Sequence, residues 1–486
     1  MKDPFQVPQY RWLYSLLLLL FLADLGYSFV QYYHQSMDGD MAWCLMPAPD
    51  VQAVFDSPLG LKAITEGTPY ANPNRYVSHA SFRAYMLHMP LGLQAFVSPI
   101  DSIYLAAALA KTLIHLALVL LLATYISGSF RPGRWDFMGL CVLLTPFFQA
   151  NGYRHQMGIV DPATTYTFFY ALPMVLLLLY FWPFFRREFH EVEFKIPVWQ
   201  AGLWGILAWM VCFSGPLNPG IVLVLALILG GRKLLQAWAT GKRGAAWLRA
   251  IPRAYWLWLG PICLMALYSL YVGTFNSMAG TEQIPLVERF ARLPEGLVNL
   301  LFQKLGFPIL ILMLLINHQL FYRFGAAERQ KKFVRLSRLA MLFILLYLLL
   351  LPLGGFRIYR PLVVRYDTFL PVTLVLIGLF GAMSHALWHS LSAKQFRWYV
   401  PPLLVVAAIF TLADPPGLER NACERAALER LAQSKAKVVP LPEACPVIAW
   451  ETVGDATLSD GPAWLIHRWG ITEQKILFYH EPAEKP

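Results

Sequence analysis

The sequence predicts an all-α polytopic membrane protein of about eleven transmembrane helices, with a small C-terminal α/β domain across the membrane from the N-terminus. Three observations carry this. The 486-residue chain is 57% hydrophobic and only 14% charged, whereas soluble domains are roughly one quarter charged. The apolar residues gather in runs close to the roughly twenty residues a helix needs to cross a bilayer. The net charge of +11 sits in short Lys/Arg runs between those segments, where orientation determinants lie. A phosphate-tracking groove would spread it differently, so nucleic acid is not an expected partner.

In chain order, the spans are expected at 12–32, 100–127, 135–149, 164–185, 198–216, 217–230, 254–272, 297–320, 339–353, 368–388 and 398–412. Asn218-Pro219-Gly220 suits a tight hairpin between the fifth and sixth. The first apolar stretch has no small-residue cleavage site after it and reads as a retained span. The linkers 129–134, 186–197, 232–253, 322–338 and 392–397 are basic. An odd number of spans puts all of them on the N-terminal side, which the positive-inside rule makes cytoplasmic. The C-terminus is then extracytoplasmic. The absence of any N-x-[ST] sequon favours a bacterial envelope, hence an inner (plasma) membrane.

The division that follows is 1–413 for the membrane domain, with a long first external loop at 33–99, and 414–486 for the outer domain. Within that loop, 51–64 and 77–96 read as helices lying in the interface. The outer domain reads as a helix at 417–436 and strands at 437–441, 447–452, 463–468 and 475–480. Cys141, Cys212 and Cys263 fall in apolar segments, and no cysteine pair has zinc-ligand spacing. Cys423 and Cys445 share the tail and could pair in an oxidising compartment.

Polar residues that a membrane protein does not need mark candidate chemistry. Asp38-Gly39-Asp40 follows the first span directly. The two carboxylates could serve as a general base and its partner, or hold a divalent cation through oxygen; the plainer alternative is a solvated turn. Either carboxylate, on a polar loop, should be dispensable to the fold. The second external loop carries Asp161 with Arg154 and His155, although Asp161 before Pro162 also suits a helix N-cap. Between 354 and 367, Arg357, Arg360 and Arg365 lie on the outer side beside Tyr359, against the charge bias. Their guanidinium forks match phosphate oxygens or snorkel to headgroups. Inside the spans, Asp24, Lys111 and His115 need protein partners, and Asp24 could pair with Lys111.

This arrangement resembles the GT-C superfamily of polytopic glycosyltransferases. The resemblance rests on Asp38-Gly39-Asp40 after the first span, Asp161 in the next external loop, the late external arginines and an external C-terminal domain. The oligosaccharyltransferase-type W-W-D motif is absent, which argues against transfer to asparagine. The resemblance implies inverting transfer of a sugar from a polyprenyl-phosphate-linked donor to a glycan, lipid or protein acceptor at the outer face. It implies Asp38 or Asp40 as base, Asp161 nearby, and Arg357, Arg360 and Arg365 on the lipid phosphate. The rival reading is a transporter or lipid flippase, whose mark would be polar groups along a midplane path.

Overall fold

The computed structural model describes residues 8–481, except Lys195, Lys242, Ala245, Trp247, Leu248, Ala250, residues 280–283, Ala326 and residues 355–359. Among the described residues, nine helices are long and apolar enough to span a bilayer: Arg11–Tyr33, Pro99–Ser127, Thr164–His190, Leu217–Ala239, Arg253–Gly273, Gly306–Phe324, Gln330–Leu353, Tyr366–Trp388 and Ala393–Ala413. Two more apolar helices, Trp135–Phe147 and Ala201–Cys212, are shorter. Helices are the natural answer to a lipid solvent, since each satisfies its own backbone. The protein is therefore an α-helical integral membrane protein.

Several elements differ from expectation in length. The segment expected as one span at 297–320 is two helices, Leu293–Phe302 and Gly306–Phe324. Much of the basic 322–338 linker is helical, because the Ala327–Leu350 helix begins well before its apolar part. The long loop 33–99 forms Pro49–Asp56, Leu61–Thr65 and Tyr76–Leu93. Gly60, with φ +69°, interrupts the helix expected at 51–64.

The tail folds against the end of the bundle that carries Asp38 and Asp40, as a helix, Ala422–Gln433, and a two-stranded parallel sheet. Strand β1 (Val438–Leu441) pairs in register with β2 (Leu477–His480). The expected strand at 463–468 is instead the helix Asp460–Arg468, which buries Pro462, Ala463, Leu465 and Ile466 on one face. The expected strand at 447–452 is irregular, because Ile448 adopts φ +49° and cannot stay extended. Cys423 and Cys445 are joined by a disulfide, with Cα atoms 6.2 Å apart.

The basic linkers converge at one end of the bundle. Glu188 sits at the end of the Thr164–His190 helix, and its carboxylate meets Lys233 at 2.7 Å, Arg232 at 3.0 Å and Arg335 at 3.4 Å. At that same end, His190 packs on Gly128, and Asp136 lies beside His385 and His389. The polar loops of interest lie at the opposite end.

The pair expected between Asp24 and Lys111 does not form. Asp24 accepts from the Thr145 hydroxyl at 2.8 Å. Lys111 donates instead to Gln35 Oε1 at 2.7 Å and to the Pro162 carbonyl. His115, fully buried, lies between the Tyr32 hydroxyl and Thr145 Oγ1 and stacks on Phe148.

Candidate functional site

A cavity of about 720 Å³ opens at the end of the bundle opposite the basic linkers. Its wall brings together Asp40, Asp161, Arg154, His155 and Arg360 with Arg75, which sequence reasoning passed over. Aromatic rings from Trp43, Tyr166, Phe169, Tyr170, Tyr366 and Trp450 complete it.

The two acids of the first loop face different surroundings. Asp38 is 3% exposed, and its carboxylate accepts from Thr165 N–H at 3.0 Å and Thr165 Oγ1 at 2.7 Å. It thereby caps the first turn of the Thr164–His190 helix from across the chain, where the helix dipole favours an anion. Burial raises its pKa, against the two Thr165 hydrogen bonds. Asp38 is not on the polar surface expected of it, and it does not line the cavity. Asp40, two residues on, lines the cavity and accepts from Trp450 Nε1 at 3.0 Å.

Gly39 between them has a packing reason. A Cβ there would lie 2.4 Å from the Trp450 backbone nitrogen and 2.6 Å from its ring. Only glycine lets the tail come so close. Glu424 ties the same two segments together: its carboxylate accepts from Met37 N–H at 3.0 Å, Ile448 N–H at 2.9 Å and the Tyr104 hydroxyl at 2.8 Å. Burial pushes its pKa up to about 7. The adjacent Cys423 carries the disulfide.

Asp161 is buried, with Oδ1 accepting from Ala163 N–H at 2.8 Å and the Tyr366 hydroxyl beside its carboxylate. Burial raises its pKa to about 6, opposed by the Ala163 hydrogen bond, Tyr366 and Lys111. The loop before it is held by Asp414, which accepts from Ala150, Asn151 and Gly152 N–H at 3.0, 2.6 and 2.7 Å. This loop leads into the short helix Arg154–Met157, where Arg154 Nε lies 3.2 Å from His155 Nε2. Burial and the neighbouring Arg154 and Lys304 charges hold the His155 pKa below its usual value.

Among the late arginines, Arg360 reaches the cavity, donates to the Tyr166 hydroxyl and lies 3.7 Å from Asp367. Arg365 is held by Asp367 in two parallel contacts of 3.0 and 2.8 Å and does not line the cavity. Arg357 and Tyr359 lie outside the described residues. Arg75 lies over the Phe169 and Tyr170 rings at 4.9 and 5.7 Å. Those rings stand on a π-helical segment, Thr167–Ala171, a widened turn that recurs at functional sites. Trp450 lies 5.9 Å from Tyr166.

No family model matches this chain, and no curated protein or solved structure matches it either. The site must speak through its chemistry. Three guanidinium groups and two carboxylates share one aromatic-lined chamber. Such a chamber can hold a phosphate on its cations, present a carboxylate to a hydroxyl, and stack a sugar ring.

Proposed function

We propose that this protein is a glycosyltransferase of the outer membrane face that transfers a sugar from a polyprenyl-phosphate-linked donor, with inversion, to an acceptor hydroxyl or amine. The observation that carries the reading is the gathering of Asp40, Asp161, Arg75, Arg154 and Arg360 in one cavity. Asp40 is the first-loop acid that reaches it, and it takes the acceptor proton. The acceptor oxygen or nitrogen then attacks the anomeric carbon from the face opposite the phosphate. The bond from that carbon to the phosphate oxygen breaks, and the oxygen keeps the electron pair. Arg75, Arg154 and Arg360 stabilise the departing polyprenyl phosphate. Asp161, ionised above about pH 6, accepts a hydrogen bond from the incoming acceptor. No step requires a metal ion.

The test has two parts. Polyprenyl phosphate should raise the thermal midpoint of the purified protein in nanodiscs, and Arg360→Ala should weaken that response at least tenfold in ligand concentration. Radiolabelled polyprenyl-phosphate hexoses and pentoses should then be screened for transfer to envelope glycans and lipids. Equal binding by parent and Arg360→Ala would remove the phosphate seat. A donor turned over as fast by Asp40→Asn as by the parent would remove the base.

A further inference from the structure

A second cavity, of about 530 Å³, lies at the other end of the bundle. Helices Pro99–Ser127, Thr164–His190, Leu217–Ala239, Ala327–Leu350 and Tyr366–Trp388 wall it. Its polarity is segregated. The polar side chains in its wall are Tyr125, His190, Lys332, His385 and His389, each near the helix end that carries the basic linkers. The rest of the wall, reaching to Ile221, Phe343 and Pro371, is apolar. At about 30 Å³ per water-sized group, this volume holds roughly eighteen methylene-sized groups, the bulk of one long acyl chain.

Small residues keep the space open. A Cβ on Gly378 would find only Leu122 Cδ2, at an ordinary 3.7 Å, and Ala340 and Ala382 line the same wall. At the polar end, His190 Nε2 is spent on the Tyr125 carbonyl at 2.8 Å, and His385 and His389 face each other at 3.3 Å. Lys332 is exposed and makes no ion pair among the described residues. Around it, Glu188 serves Arg232, Lys233 and Arg335, and Asp136, beside His385 and His389, is paired with Arg134, so in these pairings four cations meet two carboxylates and Lys332 adds a fifth.

We infer that this cavity is a binding site for an anionic phospholipid of the leaflet on the basic-linker side. One acyl chain fills the apolar body, and the headgroup phosphate meets Lys332. A lipid with no net charge would fill the body equally but lose the attraction at the mouth. The site is separate from the outer cavity, so the inference stands whether or not the protein transfers sugar.

The experiment reads lipid retention. The full chain is placed in nanodiscs of equal phosphatidylglycerol and phosphatidylcholine, extracted into mild detergent, and weighed by native mass spectrometry. One phosphatidylglycerol per chain should be retained in preference to phosphatidylcholine. Lys332→Gln should cut that preference roughly fivefold, the equivalent of about 1 kcal/mol for one lysine at an anionic surface. Gly378→Leu, filling the body, should abolish retention of both lipids while the Cys423–Cys445 disulfide and a single elution peak persist. Equal retention of the two lipids by the parent, or full retention by Gly378→Leu, would overturn the site. Should Gly378→Leu fail to fold, Lys332→Gln decides alone, and an unchanged preference refutes the headgroup contact.

Discussion

Asp38 and Asp40 stand two residues apart and face opposite ways, and this separates their mutational effects. Asp40→Asn should leave the thermal midpoint unchanged and cost about a hundredfold to ten-thousandfold in transfer rate. Asp38→Asn turns an amide donor towards Thr165 or leaves one of its donors unpaired, and should cost about 1–3 kcal/mol of stability, measured by thermal or denaturant unfolding. Asp161 supplies a pH signature. Its folded pKa, about 6, stands above the ordinary 3.8, so the native state keeps a proton that the unfolded chain has released. Its contribution therefore favours the native state below about pH 4 and is lost as pH rises through about 6. Asp161→Asn should flatten stability across that window, and transfer by the parent should rise through pH 6 while the variant's does not. Asp40, Asp161, Arg154 and Arg360 were legible because charge is conspicuous in the loops of so apolar a chain. Nothing local marked Arg75 or Trp450, which join the site only through packing. Asp38 looked exposed because D-G is turn chemistry, and no residue near it announces the helix end it caps.

At the scale of elements, long apolar segments were legible because lipid leaves the backbone one economical solution. Short ones were not. Residues 463–468 suit a strand by composition, and only the burial of Pro462, Leu465 and Ile466 along one face shows the helix. The break between Leu293–Phe302 and Gly306–Phe324 likewise falls inside what reads as one apolar run. The element that matters most to the site is the tail segment at Ile448–Trp450, clamped by Glu424 and pressed against Gly39. Gly39→Ala should drive it back, at a cost of about 1–3 kcal/mol for overpacking, and should lower transfer by loosening the Trp450–Asp40 contact. A crystal structure of the variant, or a shifted pH–rate profile, checks this. Replacing Cys423 and Cys445 by serine should cost the tail about 2–4 kcal/mol, seen as earlier proteolysis of the tail while the membrane spans stay protected.

For the whole molecule, charge proved the readable quantity. Linkers far apart in sequence converge on Glu188 at one end, as a common side for basic segments requires. The reading of that side as cytoplasmic makes a firm prediction. A reporter active only in the cytoplasm should be silent when fused after Pro486 and active when fused within 232–253. A signal at both positions would overturn the orientation. Asp136, His385 and His389 cluster on this same side, with both Asp136 oxygens held by Arg134. The sequence could not have placed the two cavities at opposite ends, because each is lined by residues from at least four distant segments.

The contact between Asp40 and Trp450 joins residues 410 apart in sequence. During synthesis, the acidic loop leaves the ribosome 410 residues ahead of the residue that braces it. A nascent chain can therefore complete its whole membrane bundle and still lack one wall of the chamber. The chamber is complete only when the tail, with its disulfide, has closed over the loop. The order of manufacture sets an expectation for the proposed transfer: a chain truncated before Trp450 should enter the membrane and transfer no sugar in the radiolabelled-donor assay.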